Sequence, residues 1–159
     1  MLKVIEERRA CRKFSDRPVE KEKIEEIVKA GLLAPSGMNR QTPVIIAMSD
    51  KKTRDALMEI NRTIDPNFIR PGDPFYGAPA MLIVLGQKDW PTHVYDGSLV
   101  MGNMMLAAHS LGLGSIWIHR AKEEFETDEY KSILEKLGPA SAIAAATLMA
   151  EVVFPIPPF

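Results

Sequence analysis

The chain has 159 residues, of which 46% are hydrophobic and 26% charged, the balance of an ordinary globule, so disordered and collagen-like chains are excluded. With 20 basic and 21 acidic residues the net charge is −1, so there is no global field for gripping nucleic acid or an anionic membrane, and any anion site has to be local. The single cysteine, Cys11, excludes an intramolecular disulfide framework and a four-thiolate zinc site, and suits a reducing cytoplasm.

Along the chain, the first residues lack the apolar core and cleavage site of a secretory signal. The longest apolar stretch, from Ser98 to Leu111, is interrupted by Asn103 and His109 and is no membrane span. A cytoplasmic protein of one domain over residues 1–159 is expected. Ile24, Ile27, Val28 and Leu32 fall at helical spacing after Pro18, which predicts an amphipathic helix from Glu20 to Leu33. The proline-bounded stretch from Ala34 to Pro43 reads as a loop, and Val44 to Met48 as a buried strand. Ser49 or Asp50 can cap a helix from Lys51 to about Arg62, followed by a long loop to Gly77 and a second strand from Ala80 to Leu85.

The stretch from Asp96 to Leu111 is helical in pattern and apolar almost all round, as expected of a helix that is buried on most faces or shared with a partner subunit. A third strand from Ser115 to Ile118, a helix from Glu126 to Leu137 and a last strand within Ile143 to Val153 complete the reading. Near-continuous apolar strands among helices imply a three-layer α/β or α+β fold, its sheet covered on both faces.

Familiar chemical signatures are missing. Gly112, Gly114 and Trp117 fail the dinucleotide fingerprint, and the sequence has no P-loop and no G-x-S-x-G elbow. His93, His109 and His119 are isolated from one another, so no metal is expected, and His109 reads as a core histidine. Two segments do stand out. Arg8, Arg9, Arg12 and Lys13 are four cations in six positions that repel one another unless an anion neutralises them, and arginine holds phosphate bidentately. The loop Pro35-Ser36-Gly37-Met38-Asn39-Arg40-Gln41 offers side-chain donors and acceptors, and Gly37 permits the backbone to approach a flat polar ligand closely.

These segments resemble the nitroreductase family of flavin enzymes. Arg8-Arg9-Ala10-Cys11-Arg12-Lys13-Phe14 is similar to the family's R-R-S-x-R-x-F opening, and Ala34 to Pro43 to its A-P-S-x-x-N-x-Q-P-W loop. Tyr76-Gly77-Ala78-Pro79, Asp96-Gly97-Ser98 and Gly112 to Ile118 also fit in order and spacing. The resemblance implies an FMN-containing entwined homodimer with an α+β three-layer sandwich, a central mixed sheet covered by helices, and the flavin at the subunit interface. It implies NADH or NADPH as reductant and two-electron transfer to a nitroaromatic, quinone or similar flat acceptor in a ping-pong cycle, with no metal, nucleic acid or membrane.

By the same resemblance Arg8, Arg9 and Ala10 lie at the phosphate and ribityl end, and Arg12 at the pyrimidine edge as electrostatic support. Pro35, Ser36, Gly37, Met38 and Asn39 line the ring with Gln41 supporting, and Trp117, Ile118, His119 and Arg120 offer backbone donors near the reactive ring nitrogen. No catalytic side chain is implied, because the flavin carries the chemistry. Three departures bear on binding. Ala10 replaces a serine, Thr42 and Pro43 replace the proline and tryptophan after the glutamine, and residues 138–159 contain no lysine or arginine where family members carry a basic tail. Weaker FMN binding is expected, with a flavin carrier or sensor that has lost turnover as the alternative.

Overall fold

The apolar run from Ala80 to Leu85 forms most of a strand whose two faces are both covered. Met81, Ile83 and Leu85 pack into one core, and Ala80, Leu82 and Val84 into another, as the two-residue period of a strand requires. Each of these isoleucine, leucine and valine side chains is at most 1% exposed and contributes about 2 kcal/mol through its removal from water.

The computed structural model describes residues 2–64, 72–119, 121–137 and 146–154, with Ala121 and the last stretch as backbone only. In chain order the elements are α1 (Leu2–Glu7), α2 (Lys21–Leu32), a 3-10 turn (Gly37–Asn39), β1 (Val44–Met48), α3 (Lys51–Ile64), β2 (Ala80–Gln87), α4 (His93–Ser110), β3 (Ile116–Ile118), α5 (Ala121–Phe125), α6 (Asp128–Glu135) and β4 (Ala146–Phe154). The strands form one sheet in the order β1-β2-β4-β3. Leu57 and Ile60 of α3, Phe125 of α5 and Tyr130 and Leu134 of α6 cover one face. Ile27 of α2 with Val100, Met101, Met104 and Ala108 of α4 covers the other, giving the expected three layers of an α+β sandwich.

All three strand pairs are antiparallel. The mixed sheet expected from the sequence therefore narrows, among the described residues, to one parallel bridge between Ala10 and Ser115. The reason is topological: β2 and β3, joined through α4, run the same way, but β4 inserts between them antiparallel to both.

Boundaries shift where caps were misjudged. The expected helix from Glu126 to Leu137 shortens to α6, because the Thr127 hydroxyl accepts from the Tyr130 amide and starts the helix at Asp128, and the separate short helix α5 before it was not expected. The third strand begins one residue later than expected, and α4 begins three residues earlier. The expected loop from Thr63 loses its first two residues to α3, and residues 65–71 lie outside the described residues. His109 is not a core histidine. It is half-buried near the end of α4, with Nε2 3.9 Å from the Glu7 carboxylate of α1.

Candidate functional site

The cation-rich segment leaves α1 and runs along the start of β3. The Cys11 amide donates to the Ser115 carbonyl at 3.0 Å, next to the Ala10–Ser115 bridge, so the backbone is tied down. The cations are not. Arg9 folds back, its Nη1 donating to the Glu6 and Arg8 carbonyls at 2.5 and 2.8 Å, while Arg12 and Lys13 are exposed. Among the described residues no carboxylate lies within ion-pair distance of Arg8, Arg9, Arg12 or Lys13. A local positive field without its own counterion is a donor set suited to phosphate.

β3 is an edge strand, so beyond the Ser115 bridge its outer backbone groups face away from the sheet. Trp117, Ile118 and His119 line a cavity of about 350 Å³ together with Asn61, Pro74, Tyr76 and Glu123. Ser115 Oγ and Trp117 Nε1 are buried without a hydrogen-bond partner, a cost that a polar ligand can offset. Tyr76 enters the cavity from a left-handed backbone, φ 57°. The turn that holds it is built on Asp73, whose carboxylate accepts from the Phe75 and Gly77 amides at 2.7 and 2.8 Å and pairs with the buried Arg54. Arg120 lies outside the described residues.

The amide-rich loop is elsewhere, at the amino-terminal end of α4. The Gly37 amide donates to Asp96 Oδ1 at 2.8 Å, and the Gln41 amide to Ser36 Oγ at 2.8 Å. Gln41 Nε2 donates to the Ala34 carbonyl at 3.3 Å and to Asn39 Oδ1 at 3.2 Å, so Gln41 braces the loop from inside. Pro35, Met38 and Asn39 are exposed and available to a ligand. Arg40 stacks over Trp90, 4.9 Å from the ring centre.

Arg8, Arg9, Ala10 and Arg12 thus share one end of the molecule with Trp117, Ile118 and His119, since the four steps from Ser115 to His119 span only about 13 Å. Pro35, Ser36, Gly37, Met38, Asn39 and Gln41 form a second group. Between Asp96, which holds that group, and His109, beside α1, α4 rises roughly 20 Å. The flank of α4 between them carries exposed Tyr95 and Leu99, followed at helical spacing by the half-buried Leu106. Asp73, Arg54, Thr92 and the role of Asp96 were missed from the sequence, where only the Asp96-Gly97-Ser98 tripeptide gave a signal. Among the described residues no group of three or more His, Cys, Asp or Glu side chains could hold a metal ion, and no helix is long and apolar enough to cross a membrane.

Several known proteins are similar to this chain. A protein of Archaeoglobus fulgidus provisionally named NADH dehydrogenase/NAD(P)H nitroreductase is 33% identical over 142 residues, 86% of this chain and 75% of that protein. The Bacillus subtilis FMN reductase [NAD(P)H] is 28% identical over 130 residues, which cover 73% of this chain and 52% of that protein. A Desulfitobacterium hafniense nitroreductase crystallised with bound FMN superposes with a TM-score of 0.87 at 25% identity, covering 98% of this chain and 87% of that one. The Nitroreductase family model matches residues 5–139, so most of the sheet and both covering helix layers fall inside it, and the chain belongs to the nitroreductase family.

Proposed function

We propose that the chain is an FMN-dependent oxidoreductase that moves two electrons from NADH or NADPH to a nitroaromatic, quinone or similar flat acceptor in ping-pong order. It works in the cytoplasm as a homodimer of one domain per chain. The observation that carries this reading is the cluster of Arg8, Arg9, Arg12 and Lys13, without a carboxylate partner among the described residues, tied to the edge strand β3 next to two orphaned buried donors, Ser115 Oγ and Trp117 Nε1. FMN, when bound, supplies the hydride and electron transfer.

The protein's own part is binding, orientation and charge. Arg8 and Arg9 neutralise the phosphate, and Arg12 stabilises negative charge at the pyrimidine edge, where a fixed cation acts as an oxyanion hole does. The edge backbone from Trp117 to His119 donates toward the reactive ring nitrogen. Pro35, Ser36, Gly37, Met38 and Asn39 line the ring, supported by Gln41.

Two copies are needed to assemble this set. On one chain the loop and the arginines lie at opposite ends of α4, and the flank between them exposes Tyr95 at 69% and Leu99 at 46%. An apolar flank of this kind favours a partner. A two-fold axis across the middle of α4 covers that flank and sets each chain's loop beside its partner's arginines.

Titrating purified protein with FMN, then adding NAD(P)H and a quinone, tests the reading. Saturable FMN binding and acceptor-dependent NAD(P)H oxidation are expected; absence of FMN binding would overturn it. The cation-free sequence 138–159 favours a flavin carrier without turnover as the second reading, which binding without NAD(P)H oxidation would establish.

A further inference from the structure

Asp96 is a carboxylate only 2% exposed, in the first turn of α4, and among the described residues no cation lies within ion-pair distance of it. A charge buried this way is costly unless hydrogen bonds and a helix amino terminus compensate it. The Gly37 amide donates to Oδ1 and the Thr92 hydroxyl to Oδ2, each at 2.8 Å. Both oxygens are therefore spent on holding the loop against the β2–α4 connection.

Gly37 serves the same contact. A Cβ at Gly37 would lie 2.2 Å from Thr92 Oγ1 and 3.0 Å from its Cβ and Cγ2. Its φ lies outside the left-handed region, so space against Thr92, rather than backbone freedom, requires glycine here. The strain falls on the residues that follow, where Met38, Asn39 and Gln41 have φ of 52°, 54° and 52°. Three non-glycine residues in left-handed geometry within four positions persist only where the surroundings fix them.

We infer that Asp96 is the positioning residue of the flavin-facing loop: by gripping the Gly37 amide and Thr92 together, it fixes the strained arrangement of residues 36–41 before a ligand arrives. The inference rests on the proposed FMN site for its consequence in binding. The grip itself is a property of the cofactor-free chain. Asp96 is only 2% exposed and both its oxygens are held within the chain, so its removal weakens FMN binding through the loop while turnover at saturating FMN stays within about threefold.

The test compares Asp96→Ala, Asp96→Asn, Gly37→Ala and Gly37→Ala/Thr92→Ala with the unaltered protein. FMN affinity is read by flavin fluorescence, and amide exchange at Gly37 and Gln41 is read in the cofactor-free protein. Asp96→Ala and Gly37→Ala are expected to weaken FMN at least tenfold, about what loss of a hydrogen bond to a buried charge produces, and to speed both amides similarly. Asp96→Asn, whose amide oxygen can still accept from Gly37, stays within about threefold. The double variant removes the worst overlap but also the hydroxyl that Asp96 holds, so it recovers only part of the Gly37→Ala loss.

Unchanged affinity and exchange in Asp96→Ala would overturn the inference. Should that variant fail to fold, unchanged affinity and exchange in Gly37→Ala would overturn it instead. If the unaltered protein binds no FMN, the proposed function fails, while exchange at Gly37 and Gln41 still decides the grip.

Discussion

The two ends of α4 carry the two halves of the proposed site and are built in opposite ways. At the amino-terminal end, Ser36, Gly37, Asn39 and Gln41 all have polar partners within the chain, and Arg40 is stacked on Trp90. At the other end the backbone of Ala10 and Cys11 is fixed and Arg9 folds back onto main-chain carbonyls, but among the described residues the cations have no carboxylate within ion-pair distance. The first is a preorganised wall that gives up little conformational freedom on binding; the second is a reserve of charge that takes its final shape around an anion. Shape and charge are thereby separated on one chain, and the proposed dimer would rejoin them.

The largest way to break this comparison is Arg8→Ala together with Arg12→Ala. Without these two charge-assisted hydrogen bonds to the cofactor, FMN is expected to bind more weakly by roughly a hundredfold or more, with the thermal midpoint of the cofactor-free protein unchanged, because neither side chain holds the fold. A midpoint that drops with the affinity would show that the arginines are structural after all.

Ser36→Ala gives the opposite signature. It removes the acceptor for the Gln41 amide, costs the cofactor-free protein about 1 kcal/mol, and weakens FMN by roughly fivefold, measured by denaturant melts and titration. Added salt separates the two ends without mutation. Raising it from low to near-molar concentration weakens FMN several-fold through the exposed arginines, and the same rise leaves exchange at Gly37 and Gln41 unchanged. The smallest effect lies outside both ends, at the start of α3. The Thr53 hydroxyl and amide, both donating to Asp50, hold its carboxyl below the ordinary 3.8. That contribution is full above the ordinary value and is lost as pH falls below it, so α3 amides begin to exchange faster only in that acidic window.

How much of this could be read from the sequence follows from the range of the interactions involved. The buried face of α2 was legible because its apolar residues repeat with the period of the helix, and β2 was legible because an unbroken apolar run marks a strand covered on both faces. The site segments were legible as short stretches with a family's spacing. The link between them was not: Gly37 and Asp96 are 59 residues apart, and nothing local marks a carboxylate that will reach a distant amide. Gly37 was expected to make room for a ligand, whereas its missing side chain makes room for Thr92. Helix α1, six residues long with none buried, leaves no periodic signal, and its contact with His109 joins residues far apart in the chain.

Assembly in trans is tested most directly by mixing two separately defective chains, Arg8→Ala/Arg12→Ala and Gly37→Ala, after subunit exchange. A mixed dimer joins intact arginines of one chain to the intact loop of the other, so random pairing restores about a quarter of the tight FMN sites per chain. Tight sites at that level, seen with neither variant alone, are the predicted result. No recovery in a sample shown to contain mixed dimers, or tight binding by a monomer, would contradict the account.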